Sequence, residues 1–555
     1  MKIFFLCIAV LALFASNLFS QPLGPAYIVQ FTDKAGSPYS IANPGEFLTP
    51  AALDRRALQN IPVDVTDIPV NSTYLQAVAA AGAQIATVSR WFNNAAVWIT
   101  DPAVVPVIAA LPFVASIVPM GGTVVSTGEE ICILHKFPFK EEGITNTINI
   151  KSSSPYGAAF NQINMVSGIA LHDQGYQGNG IAIAVLDAGF RNTNLLTVFA
   201  NLWAEDRVLG WRDFVQPGND IFSPHIHPHG TNVLSIMAAD QSGEMIGTAP
   251  EASYWLLRTE DVVAEYLMEE HFWVAGAEFA DSVGAWIINS SLGYTEYDNP
   301  AHSHTYASMD GNTTFVTRGA DKAATKGILV VASAGNQGQS PWQFIGAPAD
   351  GDSVFTIGAV DAQGFYAFFS SKGPSYDGRI KPDVTAQGLG TTIASSAGGI
   401  TAGSGTSFSS PIIAGMAACL WQTNLNATNM QVAQAIISSS SQYQNPDTLL
   451  GFGIPDFQLA QITLTALNDS AENNYAFEVF PNPTMGSLYI KNNLQGEFIT
   501  EIAVYSAEGS LMKRTSFNQT SLVVEIDEFR MFPAGVYIII IKTQNRSEAL
   551  KVIRG

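Results

Sequence analysis

Three of the chain's eight histidines, His225, His227 and His229, fall within the stretch 225-HIHPHGTN-232. Alternate residues of a strand share a face, so this run has the residue type and spacing of a metal site. It equally suits one catalytic histidine beside two bystanders. Two other positions bear on the choice. Asp187 closes the apolar run 181-IAIAVLD-187. A carboxylate ending a buried strand is costly unless paired or hydrogen-bonded. It can cap a helix, bind calcium or orient a histidine. Ser407 lies in 403-GSGTSFSSPIIAGMAACLW-421, where a Gly-rich turn opens a helix. Backbone N–H groups at a helix start stabilise developing negative charge. A serine there is also an ordinary N-cap, and Pro411 suits the first turn.

His229 is followed by Gly-Thr and the helix-like 232-NVLSIMAA-239, which would hold its ring at a cleft edge. Singly, the structural reading of each residue is at least as good as the chemical one. Together, the order Asp187, His229, Ser407 fits one arrangement of a nucleophile, its base and the carboxylate that orients the base. Ser407 is not framed as Gly-x-Ser-x-Gly, which disfavours a lipase-type hydrolase.

The elements that must position these groups follow from the apolar runs. From about residue 156, strands are expected at 181–187, 253–259, 285–291, 328–334 and 354–360, with a helix over 262–282. Near-continuous apolar strands alternating with helices indicate an α/β, doubly wound, mostly parallel sheet buried on both faces. Such a sheet places its functional residues at the carboxyl ends of its strands. Before it, 26-AYIVQF-31, 73–81, 95-AAVWIT-100 and 102–119 read as a small α+β domain. After it, short strands at 477–480, 487–490, 501–506, 522–526 and 535–542 read as a β-sandwich. The expected division is 1–20 leader, 21–120 α+β domain, 121–155 linker, 156–462 α/β domain, 463–476 linker and 477–555 β-domain.

Composition narrows the function classes. With 47% hydrophobic and 13% charged residues, the chain can bury several cores. A net charge of -21 without a basic run argues against nucleic-acid binding. MKIFFLCIAVLALFASNLFS reads as an export signal cut near Ser20–Gln21, and no later segment reads as a transmembrane span. Cys7, Cys132 and Cys419 do not make a disulfide framework; Cys419 sits in an apolar helix as a small buried hydrophobe.

The blocks 183-IAVLDAGF-190, 229-HGTNVLS-235 and 405-GTSFSSP-411, with 288-INSSLG-293 and 331-VASAGN-336, resemble those of subtilisin-like serine proteases, the subtilases. The resemblance covers roughly residues 156–460. It implies Ser407 as nucleophile, His229 as base and Asp187 as its orienting partner. It implies an oxyanion hole from Asn336 and the Ser407 backbone N–H. It places substrate along Ser291, Leu292 and Gly293, with a side-chain pocket reaching Ala334, Gly335 and Gly346. Gly346 at its base suggests room for a bulky apolar side chain. The chemistry needs no cofactor, while structural calcium is implied by the family, with no ligands placed by the sequence. Many members carry a second histidine where this chain has Asn232, so altered packing there is expected rather than lost activity.

Residues 26–119 resemble the inhibitory propeptide of these proteases, with maturation expected within 120–155. The segments 478-EVFPNPTMGSLYI-490, 502-IAVYSAEGSLMKR-514, 532-FPAGVYIIII-541 and 546-RSEALKVIRG-555 resemble the sorting domain of the type IX secretion system of Bacteroidota. A carbohydrate-binding or adhesive sandwich is the competing reading. Together the resemblances imply a secreted or cell-surface serine endopeptidase, monomeric, exported through periplasm and outer membrane by that machinery, with protein or peptide substrates. Two alternatives stay open: a metal-dependent hydrolase built on His225, His227 and His229, and an inactive subtilase fold used for binding.

Overall fold

The computed structural model describes residues 25–120, 154–471, 477–484, 486–492, 498–507, 510–517 and 523–555. The leader, nearly all of the 121–155 linker and the end of the 463–476 linker lie outside them. The described residues form two compact units, one running to Ser441 and including Pro446–Ala460, the other comprising Gln442–Asn445 and Gln461 onward.

A seven-stranded sheet organises the first unit. Its order is Val384–Gln387, Val354–Val360, Leu329–Ser333, Ile287–Ser290, Ala182–Asp187, Ser253–Arg258 and Val208–Asp213. All neighbouring pairs are parallel. The central strands are buried along their length, as their apolar runs require. Two strands escape the sequence reading. Val208–Asp213 is an edge strand with half its residues exposed, and Val384–Gln387 is only four residues long. The helix expected over 262–282 begins at Met268. Glu269 draws the preceding loop back onto the helix start, accepting from Asp261 N at 2.8 Å and Tyr266 N at 3.2 Å.

Two helices carry the chemistry-bearing residues toward the sheet. His229–Ala238 is buried throughout, and Thr406–Gln422 is buried along nearly its whole length. The second is tied to a central strand by Ser410 Oγ, which donates to Asn289 Oδ1 at 3.0 Å. Cys419 is a buried free thiol within it.

The N-terminal domain is a four-stranded antiparallel sheet, ordered Gln84–Ser89, Asn94–Trp98, Ala26–Phe31, Val114–Pro119. One face packs on its own helices through Val29, Phe31, Val78, Val97 and Ile108. The other face contributes Ala26, Ala96 and Trp98 to the core that also holds Phe272 and Trp273 of the helix Met268–Ser282. A buried ion cluster reinforces this junction. Asp281 receives Arg55 Nη2 at 2.7 Å, Arg56 Nη2 at 2.7 Å and Arg90 Nη2 at 2.8 Å. Glu278 accepts from Ser89 Oγ and from the backbone N–H groups of Arg90 and Trp91. The helix Pro50–Leu58, absent from the sequence reading, supplies Arg55 and Arg56.

The second unit is an antiparallel β-sandwich. Phe477–Phe480, Leu488–Asn492 and Val523–Ile526 form one sheet; Leu511–Ser516, Glu501–Ser506, Gly535–Lys542 and Ser547–Arg554 form the other. Their inner faces share a core of Phe477, Ile490, Ile502, Val504, Phe529, Ile539 and Ile541.

Candidate active site

Asp187 ends its strand with its side chain fully buried. Its Oδ1 lies 2.8 Å from His229 Nδ1 and also accepts the Ala188 N–H at 2.7 Å. A proton on Nδ1 satisfies this carboxylate contact and leaves Nε2 as the basic nitrogen. Arg258, opposite Asp187 in the strand register, braces the turn that follows. Its Nε donates to Ala188 O at 3.2 Å, while its Nη1 pairs with Asp213 at 2.9 Å.

His229 is the first residue of its helix, and the glycine after it explains how it reaches Asp187. A Cβ at Gly230 would lie 2.5 Å from Gly189 O and 3.0 Å from Asp187 Cβ. Only a residue without a side chain lets the helix start approach the strand end this closely. The His229 ring sits beside the Phe408 ring, with centroids 6.0 Å apart, next to Ser407 in the first turn of the other helix. Ser407 Oγ donates to Ser291 O at 3.3 Å, and Ser291 Oγ returns a bond to Ser407 O at 3.0 Å.

Asn336 follows Gly335, whose φ of +104° suits glycine and whose Cβ, if present, would meet Ser371 Oγ at 2.8 Å. Asn336 Oδ1 accepts from Thr406 N at 2.8 Å and from Thr406 Oγ1 at 3.0 Å. With the oxygen engaged by the helix start, the amide nitrogen is left to donate elsewhere.

A cavity open to solvent lies beside Ser407 and Asn336. Ser407, Asn336, Ser291, Leu292, Gly293, Ala334, Gly335 and Gly346 all line it. At Gly346 a Cβ would stand 2.9 Å from Thr295 Cγ2, so position 346 has no space for a side chain. Glu260, Glu265, Glu296 and Gln337 also line the cavity and were missed by the sequence reading. The rule that singled out Asp187 applied to Glu260 as well, since it stands two residues beyond the strand Ser253–Arg258.

The histidine run does not close into a ligand set. His227 Nδ1 accepts the His229 backbone N–H at 3.3 Å, its ring centroid is 6.3 Å from that of His229, and His225 is exposed. Among the described residues, one three-member group brings ligand atoms within 4.8 Å of one another: Glu260, Glu265 and Glu269. Both Glu269 oxygens already accept backbone N–H bonds, and Glu260 Oε2 accepts the Tyr294 hydroxyl at 2.8 Å. That set does not fit a calcium cage, which takes six to eight oxygen ligands. Asn232 is buried within the His229–Ala238 helix, and its carbonyl accepts the Ser235 hydroxyl at 2.6 Å.

Three regions of the chain match known protein families. The model of the subtilase family, peptidase S8, matches residues 178–453. Subtilisin E of Bacillus subtilis (strain 168) is 30% identical over 311 residues, covering 56% of this chain and 71% of its own. The chain belongs to the subtilase family. A subtilisin of Bacillus pumilus is likewise 30% identical, with 98% of its length covered. Among solved structures, the prenylagaramide maturation protease PagA is 24% identical, covers 54% of this chain and 98% of its own, and has a TM-score of 0.41. Residues 26–129 of this subtilase match the S8 propeptide domain of Bacteroidota, and residues 478–554 match a secretion system C-terminal sorting domain. It is therefore a subtilisin-family serine protease bearing a propeptide and a type IX sorting signal, which mark it as secreted or held at the cell surface. No helix among the described residues is long and apolar enough to cross a membrane.

Proposed function

We propose that this subtilase is an endopeptidase that works through an acyl-enzyme on Ser407. The observation that carries the reading is the 2.8 Å contact between Asp187 and His229, beside a cavity lined by Ser407 and Asn336. A substrate lies extended along Ser291–Gly293 and presents its scissile carbonyl to Ser407. Ser407 Oγ attacks the carbonyl carbon while His229 Nε2 takes the hydroxyl proton. Asp187 holds the ring and stabilises its charged form. The oxyanion sits between the Ser407 N–H and the Asn336 amide, at the positive end of the helix Thr406–Gln422. His229 gives its proton to the departing amine, leaving the acyl group on Ser407. A water then loses a proton to His229, attacks the ester and releases the acid.

A fluorophosphonate reagent tests the assignment. It should add a single phosphonyl mass to a peptide containing Ser407 and abolish proteolysis. Undiminished proteolysis by Ser407→Ala would refute the mechanism.

The flanking parts complete the proposal. The leader directs the chain to the periplasm and the tail carries it across the outer membrane, after which cleavage within 120–155 frees a monomeric enzyme. N-terminal sequencing and intact mass of the secreted form should place the new terminus in that range. A secreted form still beginning near Gln21 would overturn this scheme.

A further inference from the structure

The cavity beside Ser407 has a lining that an apolar substrate side chain does not explain. Glu260 and Glu265 form part of its wall, at 2% and 9% exposure, together with Glu296. With Glu269 behind them, Glu260 and Glu265 bring carboxylate oxygens within 4.8 Å of one another. A cation brought among these oxygens would find several acceptors at once. The wall is also cross-linked by hydrogen bonds. Tyr294 OH donates to Glu260 Oε2 at 2.8 Å, and the two loops that carry the glutamates exchange bonds: Asp298 N to Glu265 O, and Glu265 N to Asp298 Oδ2, both at 3.0 Å.

A second observation points to the same occupant from a different residue. Gln337 lines the cavity, and its Nε2 is spent on Thr295 Oγ1 at 3.0 Å. Its Oε1 is buried and has no hydrogen-bond partner among the described residues. An unmatched acceptor in a wall of carboxylates calls for an occupant that brings N–H donors. A guanidinium carries five and an ammonium three, with no acceptor on either.

We propose that this cavity takes an arginine or lysine side chain of the peptide substrate, on the acyl side of the scissile bond, and that Glu260 and Glu265 select it. This rests on the endopeptidase reading above and names its substrate class. It replaces the apolar preference that Gly346 suggested from sequence. The carboxylates supply charge-assisted bonds, and Gln337 Oε1 takes a further N–H.

The test is cleavage of a peptide library, varied at each of four acyl-side positions, by the full secreted enzyme. Arginine and lysine should be enriched at one position, with kcat/KM for arginine over leucine at least about tenfold there. Glu265→Gln should lower that ratio about tenfold. Benzamidine, a soluble cation that needs no variant, should compete with the arginine substrate on the wild-type enzyme. Cleavage with no basic enrichment at any varied position, an arginine-to-leucine ratio unchanged in Glu265→Gln, or absence of competition by millimolar benzamidine each overturns the inference alone. No cleavage by the wild type, or cleavage that survives Ser407→Ala, overturns the endopeptidase reading and the inference with it.

Discussion

Asn336 and Thr406 are joined twice: the Asn336 side-chain oxygen accepts both the backbone N–H of Thr406 at 2.8 Å and its hydroxyl at 3.0 Å. The Thr406 hydroxyl oxygen in turn accepts the backbone N–H of Gly335 at 3.2 Å. The loop after the strand Leu329–Ser333 is thereby locked to the helix that presents Ser407. Asn336 is oriented before any substrate arrives, which is what an oxyanion donor requires. Asn336→Leu should lower kcat by about a hundredfold to a thousandfold, or about 3 kcal/mol, with KM little changed. That magnitude is the one established for this donor in a subtilisin. Steady-state kinetics on a single peptide check it, and an unchanged kcat would remove Asn336 from the oxyanion hole.

Asp187 holds His229 through one oxygen, which also accepts the Ala188 N–H. Asp187→Asn keeps the shape of the group but replaces the acceptor that fixes the proton on Nδ1. The expected loss in kcat is about ten-thousandfold, the size seen when the equivalent substitution is made in another serine protease. The folded structure should be preserved, as judged by circular dichroism. A loss of only a few fold would show that His229 does not depend on this carboxylate for its tautomer.

At the propeptide junction, Asp281 is a fully buried carboxylate shared by Arg55, Arg56 and Arg90. Removing it leaves Arg55 and Arg90 without their ion-pair partner in a buried interface, although Arg56 keeps Asp67, and breaking such a pair from one side costs about 3–5 kcal/mol. In the Ser407→Ala background, which avoids self-digestion, Asp281→Ala should destabilise the precursor by that amount in urea titrations. Equal midpoints for the two proteins would mean that the apolar contacts of Trp98 and Phe272 hold the junction unaided.

The sequence disclosed most about the residues whose environment is extreme. Ala182–Asp187, Leu329–Ser333 and Val354–Val360 are nearly all apolar because both faces of the sheet are covered, and they were read correctly. Asp187 stood out because it ends such a strand, and His229 and Ser407 because each lies in the first turn of a buried helix. Val208–Asp213 was missed because an edge strand keeps polar residues such as Arg212 and Asp213 among the apolar ones. The tail strands Leu511–Ser516 and Ser547–Arg554 were missed for a related reason: their alternation is diluted by Lys513, Arg514, Glu548 and Lys551. Glu260 and Glu265 were invisible as a pair with Ser407, because only the chain's return through Ser291–Gly293 brings them to one cavity. No local pattern encodes that meeting.

His271 gives a pH dependence with a definite sign. Burial is the main cause pushing its imidazole down, from 6.5 to about 4, opposed by Glu270 and aided by Arg318. An unfolded histidine protonates near its ordinary value while the folded one does not. The unfolded chain therefore binds more protons between 6.5 and about 4, and stability falls as pH is lowered through that window. The loss levels off below about 4, at a total of about 3 kcal/mol. Asp350, raised by burial to about 6, works in the opposite sense over much of the same range. The comparison must therefore be made against a variant that changes only His271. His271→Phe keeps a ring stacked on Phe315, whose centroid lies 3.9 Å away. In the Ser407→Ala background, the stability of His271→Phe relative to its parent should rise steadily as pH falls from 7 to 4, as followed by urea midpoints. A difference that stays constant over that range would show that His271 takes up its proton as readily in the folded chain as in the unfolded one.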